Sequence, residues 1–280
     1  MRRAAISLAT SQGRYAQGLQ RLADSLRRSG FTGEFIGWPP GQFPAGCPPH
    51  LDVPFAFKPY CFAEARQRGL EAVLWLDSSS VAVRSLEPLF KQIEERGYFL
   101  FKNGRFRVGE WASDLALERL GVSREEALSL PEVNAAVIGL NLKHPLGSAF
   151  LDQWHAEAKV GLAFRGVAEG PLTLADYRNV KRNREGRVSA HPRVRGHRHD
   201  QTVAGVLAWR LGLELAPRGL QRYEPEHWHI GPETLIVIDR SVARRRSWVA
   251  PAGWILADDV KSRLRRLANR VRSVRLWSKT

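Results

Sequence analysis

The chain has 280 residues, 44% of them hydrophobic, with 43 Lys and Arg against 28 Asp and Glu and a net charge of +15. This is enough chain for one large α/β domain or two small ones, while its longest apolar runs, about seven residues, fall far short of the ~20 that cross a bilayer. The positive balance asks for an anionic partner: a phosphorylated ligand, an acidic membrane or nucleic acid. A GC-rich genome would give the same arginine bias. Two cysteines, Cys47 and Cys61, make neither a disulfide framework nor a CxxC metal or redox site, and they suit buried thiols in a reducing compartment. The basic start Met1-Arg2-Arg3 leads into too short an apolar stretch for a signal peptide, so a cytoplasmic location is expected.

In chain order, residues 4–10 read as a strand and Ser11-Gln12-Gly13 as a turn. Tyr15, Leu19, Leu22, Ala23 and Leu26 have helical spacing over residues 14–28, and Gly30 stops that helix. A second strand covers residues 34–38, so strand, helix and strand already signal a parallel sheet. A Pro- and Gly-rich loop over 39–54 precedes a helix from Pro59 to Gly69 and then a wholly apolar strand ending on Asp77. A turn and helix over 85–96, a strand over 98–101 and helical pieces over 113–120 and 123–128 follow; Ser123 with Glu126 forms a capping box. Residues 133–142 are a buried strand and 148–159 an amphipathic helix, before a basic stretch over 178–199. A helix over 201–211 and a strand over 235–238 close a domain of residues 1–240. In the basic tail, 241–280, apolar residues from Leu256 to Val274 recur every three or four positions opposite an arginine face. That pattern suits an interfacial helix on anionic lipid, or one packed on the domain or on a partner subunit.

Four stretches carry chemistry. Asp77 ends a strand, where open α/β sheets place ligands, with Ser78 and Ser79 behind it. Asn134 opens the strand Asn134-Ala135-Ala136-Val137-Ile138-Gly139-Leu140-Asn141. His199-Asp200-Gln201 begins a helix: Asp200 falls at or near an N-cap, and His199 is of a type that exchanges protons near neutrality. His227-Trp228-His229 puts two imidazoles on one side of a strand, a metal-compatible arrangement or a plain pair of histidines. Lys58, Arg195 and Arg198 are cations able to neutralise phosphate. No Gly-rich phosphate loop, GxGxxG, HExxH, nucleophile elbow or kinase signature is present, which argues against dehydrogenases, phosphate-loop NTPases and the common hydrolases.

Lys58-Pro59-Tyr60, the strand end Trp75-Leu76-Asp77-Ser78-Ser79, the Asn134 strand and His199-Asp200-Gln201, in that order, resemble nucleotide-sugar glycosyltransferases of the GT-A type over roughly residues 4–240. The resemblance implies a Rossmann-like, mostly parallel α/β sheet flanked by helices, and bacterial polysaccharide or glycolipid synthesis at the inner membrane face. It implies a UDP- or GDP-sugar donor, a glycan or glycolipid acceptor, and no nucleic acid. Thr10, Lys58, Tyr60, Asp77, Ser79, Asn134, Arg195 and Arg198 would bind the donor, and Asp200 and His199 would act in catalysis. Ser79 replaces the second carboxylate of the family's Asp-x-Asp motif, so manganese or magnesium would be held weakly, by Asp77 and His229. A sugar-phosphate nucleotidyltransferase is the nearest enzymatic alternative, with Thr10-Ser11-Gln12-Gly13-Arg14 as a poor version of its loop. A non-catalytic basic membrane- or nucleic-acid-binding protein would account for the charge but not for Asp77 or His199-Asp200.

Overall fold

The computed structural model describes residues 1–217, 221–223, 231 and 233–239. His229, the 240/241 boundary and the amphipathic tail lie outside the described residues. Among the described residues no helix is long and apolar enough to cross a membrane.

Strands β1 (Arg3–Leu8), β2 (Glu34–Trp38), β3 (Ala72–Leu76), β5 (Tyr98–Arg107) and β6 (Pro131–Asn141) form one sheet in the order β2-β1-β3-β6-β5. β1 is parallel to β2 and β3, whereas β6 is antiparallel to β3 and β5, so one strand of the five runs against the rest. A smaller sheet joins β4 (Ser80–Ala82), β8 (Ile236–Ile238) and β7 (Gln221–Tyr223).

Helices cover both faces of the large sheet. On one face α1 (Arg14–Arg28) and α3 (Glu87–Arg96) bury Leu22, Leu26, Leu89, Phe90 and Ile93 against Leu74 and Phe99. The other face packs α2 (Phe57–Gln67), α4 (Asp114–Arg119), α6 (Pro145–Val160), α7 (Leu162–Arg165) and α9 (His199–Arg210) around Phe62, Trp75, Phe150, Trp154 and Phe164. α5 (Arg124–Ser129) starts at the expected Ser123–Glu126 capping box. Pro59 sits in the first turn of α2, where a missing N–H removes no helical bond.

The 178–199 stretch is more ordered than its charge suggests. α8 (Leu174–Lys181) starts at a Thr173–Asp176 capping box, and Val167, Leu172, Val180, Val188 and Val194 make a small core beneath it. β4, α7 and β7 are three further elements too short for periodicity to announce.

The topology gathers distant residues at one edge. β1 and β3 end together, with Ile6 paired to Trp75, so residues 9–15 and 77–79 emerge side by side. Because β6 runs backwards, its beginning meets the end of β3, and the Asp77 amide donates to the Ala136 carbonyl at 2.9 Å. β5 is antiparallel to β6, with Lys102 paired to Val133, so Asn103 to Phe106 arrive at the same edge. Gly18 lets α1 close on the strand end, since a Cβ there would meet the Ser78 carbonyl oxygen at 2.4 Å.

Candidate active site

Two cavities open at this edge, of about 410 Å³ and 640 Å³. Both fall in the size range of small-ligand sites. The first is walled by Lys58, Asn103, Phe106, Asn134, His199 and Asp200 among others, the second by Thr10, Arg14, Tyr15, Ser79, Leu174 and Tyr177 among others. Phe55, Asp77 and Lys181 belong to both walls, so the cavities meet at Asp77.

Lys58 organises the boundary. Its buried ammonium lies 2.7 Å from Asp200 Oδ2 and 3.1 Å from Asp77 Oδ1, and donates to the Ala135 carbonyl at 2.7 Å. An ammonium has three N–H donors, and three acceptors surround this one. Burial alone would lower the Lys58 pKa, but Asp200 and Asp77 outweigh it and the pKa is raised. Burial likewise raises the Asp200 pKa, with Lys58 opposing. Asp77 is partly exposed and also accepts from Trp75 Nε1 at 2.9 Å. Trp75 and Asp77 are two residues apart in extended chain and so share one side of it.

Arg198 is stacked 3.6 Å from the Trp111 ring centroid and 4.5 Å from that of Phe106. It pairs with buried Glu132, which also accepts from Asn103 Nδ2 at 2.6 Å. Burial pushes the Glu132 carboxyl up to about 7, against the pull of Arg198 and Asn103. A folded-state pKa above the ordinary 4.5 means that stability from Glu132 is complete below that value and lost as pH rises through about 7. The melting temperature of the wild type is therefore expected to rise relative to Glu132→Gln on going from about pH 8 to about pH 5. A flat difference across that range would show that Glu132 ionises as an ordinary carboxyl.

The expected site residues divide. Lys58, Asp77, Asn134, Arg198, His199 and Asp200 converge on the first cavity, and Thr10, Asp77 and Ser79 on the second. Asn134 is buried, and its Oδ1 accepts from the Ala136 amide at 3.0 Å. Two of the expected residues lie elsewhere. Tyr60 turns away: its ring meets His155 of α6 edge-on at 4.5 Å, because residues two apart on a helix face different sides. Arg195 is exposed, 3.9 Å from Glu110, and lines neither cavity. Asp200 lies in the first turn of α9, which begins at His199 with Arg198 as its N-cap, and its carboxylate reaches Lys58.

Residues that sequence reasoning missed include Lys181 on the shared wall, the Glu132–Asn103 pair behind Arg198, and Asp239. Buried Asp239 pairs with Arg21 at 3.0 Å, and its amide donates to the Ser79 carbonyl at 2.8 Å, fixing the turn after Asp77. The Thr173–Asp176 capping box was the available cue for Lys181, since it starts a helix that points Leu174, Tyr177 and Lys181 along one side.

Of the two expected metal ligands, Asp77 Oδ1 already carries Trp75 and Lys58, and His229 lies outside the described residues. Among the described residues no group of three His, Cys, Asp or Glu side chains is arranged to hold an ion. The described residues do not by themselves form a metal centre.

No protein-family model matches this sequence, and no curated protein matches it. Similar solved structures include a glycosyltransferase involved in the glycosylation of the major capsid of PBCV-1, at 12% identity and TM-score 0.39, covering 84% of this chain and 91% of that one. Mouse xyloside xylosyltransferase 1 in its apo form is similar at 11% identity and TM-score 0.44, over 85% of this chain and 97% of that one. The apo structure of the bifunctional glycosyltransferase WbbM is similar at 11% identity and TM-score 0.45, over 84% of this chain and 45% of that one.

Proposed function

We propose that this chain transfers a sugar from a nucleotide-sugar donor, a UDP- or GDP-sugar, to a hydroxyl of a glycan or glycolipid acceptor, on a GT-A-like fold. The observation that carries the reading is the pair of cavities meeting at Asp77 at the carboxyl end of the parallel strands. In this reading the nucleoside lies in the second cavity, between Thr10–Tyr15 and the Leu174–Tyr177 side of α8. The diphosphate crosses the boundary by Asp77, Ser79 and Lys181. The sugar enters the first cavity against Asn134 and Asp200.

The bond from the sugar's anomeric carbon to the diphosphate oxygen breaks, and the acceptor oxygen bonds to that carbon. The acceptor proton passes to a base, and the electron pair leaves with the diphosphate. Lys181, on the shared wall, and Arg14, on the wall of the second cavity, are the cations proposed to meet the leaving charge. Burial raises the Asp200 pKa, which strengthens it as a proton acceptor, and Lys58 holds it in place. Lys58 donates to the Ala135 carbonyl and is ion-paired with both carboxylates, so it balances them and leaves the diphosphate to other cations.

The test is a thermal-shift screen of UDP, GDP, CMP and dTDP sugars with and without manganese, followed by product analysis. A ligand that binds the folded state raises the melting temperature with the logarithm of its excess over Kd. One donor is expected to stabilise the protein and to release nucleoside diphosphate when an acceptor is added. Release of pyrophosphate from a nucleoside triphosphate and a sugar phosphate would instead identify a nucleotidyltransferase. Because Lys58 already balances Asp77, activity is expected to survive EDTA; complete loss restored by manganese would assign Asp77 to a metal.

A further inference from the structure

Residues 167–198 hold eight Lys and Arg against three Asp and Glu, and two of the three acids are committed locally. Asp176 closes the capping box with Thr173, and Glu169 pairs with Arg187 at 3.3 Å. Arg178, Arg182, Arg184 and Arg193 are exposed and form no ion pair among the described residues.

These cations stand on a fixed frame. Asn183 has φ +47°, a left-handed conformation that asparagine tolerates, and both ends of its amide are used. Its Nδ2 donates to the Ser189 and Val194 carbonyls at 2.9 Å and 3.3 Å, and its Oδ1 accepts from the Val188 and Ser189 amides at 2.9 Å and 3.2 Å. The loop after α8 is thereby tied back over the small core of Val180, Val188 and Val194. Gly196 allows a close return, since a Cβ there would meet the Lys181 carbonyl oxygen at 2.0 Å. Charges on such a frame lose less freedom on binding than those of a loose chain.

The surface adjoins both cavities. Arg178 and Arg182 stand four residues apart, one position beyond Tyr177 and Lys181, which line the cavity walls. Its chemistry selects among polyanions. A face that docks on lipid inserts apolar side chains, and single-stranded nucleic acid stacks on aromatic rings. The one large apolar side chain exposed on this stretch is Leu174, which lines the second cavity, and Tyr177 is half-buried and stacked on His199 at 5.2 Å. What remains is charge without apolar or aromatic anchors.

We infer that the surface over residues 178–195 binds an anionic glycan, with carboxylate or phosphate groups along its chain, and delivers its end to the first cavity as the acceptor. The inference rests on the glycosyl-transfer reading above and narrows its acceptor.

The test is calorimetric titration of the full chain with oligogalacturonate and with its methyl ester, which has the same sugar chain without the charge. The free acid is expected to bind about tenfold more tightly at about 50 mM salt than at about 300 mM, because exposed charge pairs are screened. The methyl ester should bind at least about tenfold more weakly than the free acid at the lower salt. Combining Arg178→Gln, Arg182→Gln and Arg193→Gln should cost about tenfold or more, each exposed pair being worth a factor of about two to five. The melting temperature and the binding of nucleoside diphosphate should not change in that variant. Saturating nucleoside diphosphate should leave oligogalacturonate bound, since the two occupy different places. Equal affinity for acid and ester, undiminished affinity in the triple variant, or displacement by nucleoside diphosphate would overturn the inference while leaving glycosyl transfer intact. So would a loss confined to Arg263→Gln, Arg266→Gln and Arg270→Gln in the basic tail, or binding of single-stranded DNA or phosphatidylglycerol vesicles with none of oligogalacturonate. Failure of every nucleotide sugar to bind or react would overturn the functional reading, and the acceptor role with it.

Discussion

Lys58→Met is expected to destabilise the protein by about 3–5 kcal/mol, because removing one partner of a buried ion pair strands the other charge. Asp200 is that charge: its side chain is 6% exposed and its ionic partner is Lys58, 2.7 Å away. The melting temperature should fall on the order of 10 °C. The loss should shrink as pH falls, since a stranded Asp200 has a still higher pKa in the folded state and binds a proton there before it does so when unfolded. Adding Asp200→Asn to Lys58→Met should restore much of the stability, because no buried charge is then left uncompensated. If Lys58→Met melts like the wild type, the lysine does not balance the carboxylates and the boundary between the cavities is organised in another way.

Asp77→Ala is expected to lower kcat/KM by about a hundredfold or more while leaving the chain folded, since misplacement of groups around reacting atoms by an ångström is worth about that factor. Folding should survive because the Asp77 side chain is 30% exposed, and Lys58 keeps Asp200 and the Ala135 carbonyl. Activity should not survive. Asp77 stands on the shared wall, and without it Lys58 is drawn wholly to Asp200 and Trp75 Nε1 loses its acceptor. Steady-state kinetics beside a melting curve separate the two effects. Normal turnover in a folded Asp77→Ala protein would remove Asp77 from the site, and a protein that does not fold would make it a structural residue.

The sequence by itself determined what depends on local periodicity and short-range hydrogen bonding. The α1 boundaries at Arg14 and Arg28, the Ser123–Glu126 capping box and the apolar β3 strand opening onto Asp77 follow from spacing and from which side chains satisfy free backbone groups. Helix geometry also contained the placement of Tyr60, since Lys58 and Tyr60 stand two residues apart and cannot share one side of α2. Tertiary structure alone decided the pairings. Lys58 meets Asp200 because α2 and the start of α9 lie on one side of the sheet, and Arg198 meets Glu132 because β6 runs antiparallel and begins at the edge where the cavities open. Neither contact has a local signature, for a buried charge chooses its partner by proximity after the chain has folded, and the low dielectric of the interior then fixes the choice. The same holds for the His199 ring, whose Nδ1 meets the Phe164 carbonyl, 35 residues earlier in the chain.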